Sequence, residues 1–349
     1  MNPLVSNGQR GISLVELMVA MVLGLVVVGG VVQIYVSNKQ TYRVNAAVAR
    51  IQENARFALD LLGRDLRAAG YWGCGGAAAQ IANAVNGTGW QFQAEPIHGY
   101  EGGVDTFPSE YASTVLGNSD SFRIAYMDAN SAATVTSHAS GSASFTTASV
   151  HDFEQGEILA VVSTACGQAG IFQMSNSSTT TVEHKTSVPP SPGNCITNLG
   201  GAFICSNTGT SSSYTYENGS RLMRFVSRAY YIRNGASGEP ALWRAYLTHS
   251  GTTAAVSSEE LVEGVEDMQV LYGLDTDADG TANSYVKADA VGTWDDVVSV
   301  RVDLLMRSVE DNLTSDNVPY ELQGASTTPA DKRIRRVFTT VVALRNRVS

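Results

Sequence analysis

The chain has 349 residues, 23 of them basic and 33 acidic, for a formal net charge of −10. That length holds a membrane helix beside one large globular domain or two small ones, and the acidic balance excludes the clustered Lys/Arg footprint of a nucleic-acid-binding domain. Gly, Ser, Thr, Asn and Ala fill the long middle, a composition common in exported, loop-rich β proteins.

A short polar segment with one basic residue, Arg10, precedes a run that is apolar over residues 12–32. About 20 apolar residues are what a helix needs to cross a bilayer core. A secretory signal has a shorter apolar segment followed by a small-residue cleavage site; here the small pair Gly29-Gly30 lies inside the run. One carboxylate, Glu16, interrupts the run near its start. A charge at the middle of a membrane helix costs roughly 2.5–3.5 kcal/mol on insertion scales. Glu16 is therefore either an interfacial acid near the headgroups or a functional group.

The order Gly11-Ile12-Ser13-Leu14-Val15-Glu16-Leu17 at the head of such a run resembles the class III signal of type IV pilins and type II secretion pseudopilins. The resemblance implies that a prepilin peptidase cuts between Gly11 and Ile12. Ile12 then carries a methylated amine, and Glu16 is the fifth mature residue. The positive-inside rule points the other way, because Arg10 stands alone before the span while Lys39, Arg43 and Arg50 follow it. The rule weakens when a long domain must translocate, and the leader implies a cytoplasmic N-terminus with a periplasmic head.

Past the span, Val44, Ala47, Val48, Ile51, Ala55, Ala58, Leu62 and Leu66 recur at threes and fours, one face of a helix. Arg43, Arg50, Gln52, Glu53, Arg56, Asp60, Arg64, Asp65 and Arg67 take much of the remainder. No proline interrupts residues 12–70, and Gly70 reads as the helix C-cap. One helix over 12–69 would run about 87 Å. Major pilins commonly carry a proline in the second half of the membrane run; this chain has Gly29-Gly30 nearby and no proline. The expected division is a leader at 1–11, a membrane and polymerisation helix at 12–36, its amphipathic continuation at 37–70 and a β-rich head at 71–349.

The head opens on Gly70-Tyr71-Trp72-Gly73-Cys74 and an irregular stretch to residue 117. Strand signals follow at 121–127, 157–163, 170–174, 222–232, 241–247 and 265–272. Residues 297–307 alternate most clearly, with Val298, Val300, Val302, Leu304 and Met306 on one face, as a half-buried antiparallel strand should. Residues 337–345 repeat the pattern, with Phe338, Val342 and Leu344 inward, and close the sheet. Residues 206–213 and 321–331 read as loops.

The closing run Arg335-Arg336-Val337-Phe338-Thr339-Thr340-Val341-Val342-Ala343-Leu344-Arg345-Asn346, together with Arg64-Asp65-Leu66-Arg67-Ala68-Ala69-Gly70-Tyr71-Trp72-Gly73-Cys74, resembles the PilW family of large minor pilins. Pseudopilin J proteins share the leader and a similar tail, but the Tyr-Trp-Gly-Cys turn favours PilW. The resemblance implies an α+β, pilin-like fold, a long N-terminal helix packed on an antiparallel β-sheet head. It also implies other minor pilins, the major pilin and the inner-membrane assembly machinery as partners, a role in priming polymerisation, and support of twitching motility and attachment. The subunit would sit in the inner membrane before assembly and in the pilus afterwards. A tip-located binding subunit, on its own or carrying a tip adhesin, and a secretion pseudopilin are the alternatives.

Cys74, Cys166, Cys195 and Cys205 all lie beyond the span, so in an oxidising compartment two disulfides are expected. Of the three connectivities that four cysteines allow, Cys195–Cys205 as a local loop with Cys74–Cys166 as a longer staple is favoured. Asp275, Asp277 and Asp279 are followed by Gly280, the first, third, fifth and sixth positions of a calcium loop. Thr281 would add its carbonyl and Asn283 a ninth-position oxygen. Position twelve is Val286, so Asp295 or Asp296 would have to replace the missing glutamate. The alternative is a solvated acidic turn between Tyr272 and Tyr285.

Catalysis finds no constellation. His98, His138, His151, His184 and His249 are scattered, without a zinc helix, a Gly-x-Ser-x-Gly elbow or a P-loop, and read as surface or loop residues. Trp72, Trp90, Trp243 and Trp294 read as core rather than as a sugar platform.

Overall fold

The computed structural model describes residues 11–74, 80–111, 114–186, 189–205 and 208–347. The leader up to Arg10 lies outside them. One α-helix runs from Leu14 to Ala68, 55 residues without a break. It starts at Ser13, an extended N-cap whose hydroxyl accepts from the Glu16 amide at 3.1 Å and so satisfies one of the first turn's unpaired donors. It ends at Ala69, and Gly70 follows at φ +72°, where a Cβ would be strained. Its first half is long and apolar enough to cross a membrane, and none of that window is buried.

In the second half Ile51, Ala55, Ala58, Leu61, Leu62 and Leu66 turn inward and are buried. They pack with Val300, Val302, Leu304, Met306, Val342 and Leu344 of a four-stranded antiparallel sheet. Its order is Ser284–Val286, Val265–Leu274, Val297–Arg307, Arg335–Ala343. The register sets Val300 opposite Val342 and Leu304 opposite Phe338, so one apolar row continues across the strands under the helix. The Arg335–Ala343 strand stands at the sheet's edge, as the tail pattern led us to expect. The Val297–Arg307 strand departs from expectation: Asp303 and Leu305, on the face away from the helix, are each 1% exposed. The strand is central and covered on both faces, and Asp303 tolerates burial because Arg301 and Thr339 both donate to it.

The larger sheet is organised by Arg221–Asn234. One edge of this strand pairs antiparallel with Ser121–Ala139. The other pairs first with Ile158–Val162 and then with Pro240–Ser250, so it joins two sets of strands in one sheet. The sheet is not wholly antiparallel, because Ile81–Asn83 runs parallel to Ala169–Gln173 and to Phe203–Ile204. A strand absent from the sequence reading, Thr253–Glu263, pairs with Pro240–Ser250 through a short turn at Gly251. Its Ser257-Ser258-Glu259-Glu260 core hides it, and the Arg244 to Glu259 cross-strand ion pair shows why it is nonetheless stable there. Part of the 321–331 loop is a small hairpin, Tyr320–Leu322 with Ala325–Thr327. Cys74 is bonded to Cys166 and Cys195 to Cys205.

Candidate functional site

The candidate groups lie on the apolar helix and at its seat on the head. Gly11, Ile12 and Ser13 are non-helical and exposed, and Glu16 lies in the first turn, exposed on an otherwise apolar cylinder. Among the described residues the Glu16 carboxylate has no hydrogen-bond or ion-pair partner, and only its backbone amide is engaged, by Ser13.

At the other end, sequence reasoning missed the residue that seats the helix. Asp65 was placed on the polar face, yet its side chain is 5% exposed. Arg228 Nη1 donates to its Oδ2 at 2.6 Å, the Tyr230 hydroxyl donates to the same oxygen, and Arg244 Nη1 stands 3.9 Å away. The signal was present: Asp65 lies three residues after Leu62 and four after Leu61, in phase with the buried stripe. An acid at that phase needs basic partners from the facing strand, and Arg228 and Arg244 supply them. Burial, reinforced by the Asp65 charge and opposed by Arg228 and Arg244, drives the Tyr230 phenol far above its ordinary range, so it stays a donor.

Two further contacts hold the helix. Asn346 Nδ2 lies 3.1–3.4 Å from the carbonyls of Arg67, Ala68 and Ala69, donating to groups that a helix C-terminus leaves unpaired. Lower down, Gln40 Nε2 donates to the Asn312 and Leu313 carbonyls, and Arg43 pairs with Glu310 at 3.0 Å. A head loop thus grips the helix just beyond the expected membrane boundary.

The acidic loop brings the Asp275, Asp277 and Asp279 carboxylates within 4.8 Å of one another. Asp275 accepts from the Gly280 and Asp279 amides, and Asp279 from the Thr281 amide. Asn283 turns its oxygen to Thr276 and its amide nitrogen to Asp277. Asp296 reaches the loop through its carbonyl, which accepts from the Asp275 amide, while Asp295 is paired with Arg347. The loop is a self-braced turn with three converging carboxylates.

Three histidines are not surface residues. His138, His151 and His184 are buried, and the Nε2 atoms of His138 and His184 lie 3.2 Å apart among Phe145, Phe172 and Tyr216. The Tyr216 amide donates to His138 Nδ1, so His138 carries its proton on Nε2 and offers it to His184. Burial pushes His138 down to about 4 and His184 to about 3, keeping both rings neutral.

A membrane-length helix that continues unbroken into an α+β head, entered through a Gly-Ile-Ser-Leu-Val-Glu junction, defines a pilin-like subunit. Residues 6–32 match the model described as prokaryotic N-terminal methylation motif. Residues 229–346, from the Tyr230 strand to the Asn346 cap, match PilW, described as type IV pilus-assembly protein W. Over residues 229–346 the chain is thus similar to PilW, and the leader match with the apolar helix behind it fits an inner-membrane-anchored pilin later in the pilus. No curated protein and no solved structure matches the chain.

Proposed function

We propose that this subunit primes type IV pilus polymerisation together with other minor pilins and remains near the filament tip, so that twitching motility and attachment depend on it. The family matches support participation in pilus assembly, association with other pilins and the membrane machinery, and a structural role. The observation that carries the finer reading is Glu16, a carboxylate without a partner among the described residues, one turn from Ile12. Peptidase cleavage after Gly11 frees an amine at Ile12, and in lipid that amine on a neighbouring subunit is a partner that offsets the cost of holding both charges. Pairing selects register and draws subunits out of the membrane in order. A Glu16→Ala subunit should still be cleaved, methylated and inserted, as N-terminal sequencing of the membrane fraction would show, yet stall piliation. Wild-type piliation in that strain would refute the role.

A second reading is favoured by the acidic loop: a head stiffened by Ca2+ at Asp275, Asp277 and Asp279, with the Thr281 carbonyl, serving as a tip-located binding surface for a substrate or an adhesin. Asn283 would join as a ligand only after turning its amide. Head-loop variants that lose adhesion while keeping normal piliation would separate this role from priming. Secretion defects with normal piliation would instead point to a type II pseudopilus.

A further inference from the structure

Where the helix ends against the head, four arginines converge on one hollow in a chain of net charge −10. Arg64 and Arg67 come from the last turns of the helix, and Arg228 and Arg244 from adjacent strands. The hollow has a volume of about 680 Å³ and is walled by Tyr71 and Tyr126. Its own carboxylates are Asp65, which is buried beneath Arg228, and Asp128; Glu259 reaches Arg244 from the side. Arg64 and Arg67 are exposed and, among the described residues, make no ion pair. Arg228 uses only Nη1 on Asp65, so among the described residues the rest of its guanidinium fork is unbonded beside the Tyr126 ring.

We infer that this hollow is a docking site for an acidic segment of a neighbouring subunit. Free guanidinium forks match carboxylates in geometry as well as in charge, and the tyrosine rings offer flat walls to the aliphatic stems of Asp and Glu. An anionic lipid does not fit the position: Arg64 lies 28 residues beyond Val36, about 42 Å along the helix axis, several Debye lengths from the headgroups at physiological salt. A neighbour entering beside the helix, by contrast, brings its own head to this height. The inference rests on the pilin reading for the identity of the partner, but the test uses the isolated subunit and so fails or succeeds independently of assembly.

The full chain in a neutral detergent is titrated against a fluorescein-labelled hexaglutamate peptide by anisotropy. The wild type should bind, and binding should weaken as salt is raised to about 0.5 M. The Arg64→Glu, Arg67→Glu pair should lose about tenfold in affinity, and the Arg64→Gln, Arg67→Gln pair should lose less. Both should melt with the wild type, because neither side chain holds the fold together. Arg336→Glu, an exposed reversal on the edge strand, should leave binding unchanged. No binding by the wild type, wild-type affinity in both helix variants, or an equal loss in Arg336→Glu would each overturn the assignment.

Discussion

Removing the Asp65 carboxylate should loosen the helix from the head more than any other single polar change. In Asp65→Ala, Arg228 loses its ion-pair partner and the Tyr230 hydroxyl, fully buried, is left without an acceptor. Breaking a buried pair costs roughly 3–5 kcal/mol. The Arg228 side chain is 26% exposed, so water recovers part of its charge, and about 3 kcal/mol is the expected loss. At the roughly 2–4 °C per kcal/mol of a domain this size, the melting temperature should fall by roughly 6–12 °C, read by near-UV circular dichroism on the full chain in detergent. A double-mutant cycle with Arg228→Ala should return a coupling of at least about 1 kcal/mol. Tyr230→Phe alone should cost about 1 kcal/mol, the worth of one hydrogen bond. An Asp65→Ala protein melting within a degree of wild type, or a coupling near zero, would mean that apolar packing at Leu62 and Leu66 seats the helix unaided.

Two further outcomes follow from buried and clustered charge. His138 and His184 have folded pKa values of about 4 and about 3, below the ordinary 6.5, because of burial. Protons therefore favour the unfolded chain, and stability that is complete above pH 6.5 drains away as pH falls toward 4, by about 3 kcal/mol for one ring. Asp120, pushed up to about 7 by burial against the pull of the Gly102 and Val270 amides, works in the opposite sense, so the comparison is between variants: His184→Phe should flatten the denaturation midpoint across that window, and an unchanged slope would refute the assignment. For the acidic loop, millimolar Ca2+ should raise the melting temperature of wild type and leave Asp277→Ala unmoved; an equal rise in both would show that the loop is only a turn.

The helix was legible over nearly its whole length because its signals are local: an apolar run, a period of three and four, and a glycine just past the end; the Ser13 cap, which starts it at Leu14, was not read. Strands buried on one face, such as Arg335–Ala343, were legible for the same reason. What escaped reading depends on residues far away in the chain. Asp65 looks solvated until Arg228 and Arg244 arrive from strands more than 160 residues later. Thr253–Glu263 lacks apolar alternation and exists as a strand because Pro240–Ser250 lies beside it. The two histidines are 46 residues apart, and only the fold brings their rings together.

The Asn346 cap has a bearing on how the protein is made. The carbonyls it covers are synthesised and exported long before it, since Ala69 and Asn346 are separated by 277 positions. The helix can insert in the membrane and the sheets can pair while its upper end still faces water. The last carbonyls of the helix are capped only after residue 346 has crossed, so a head truncated before it would keep the Asp65 seat and lose the cap. The cap therefore reports that the chain has crossed at least as far as residue 346.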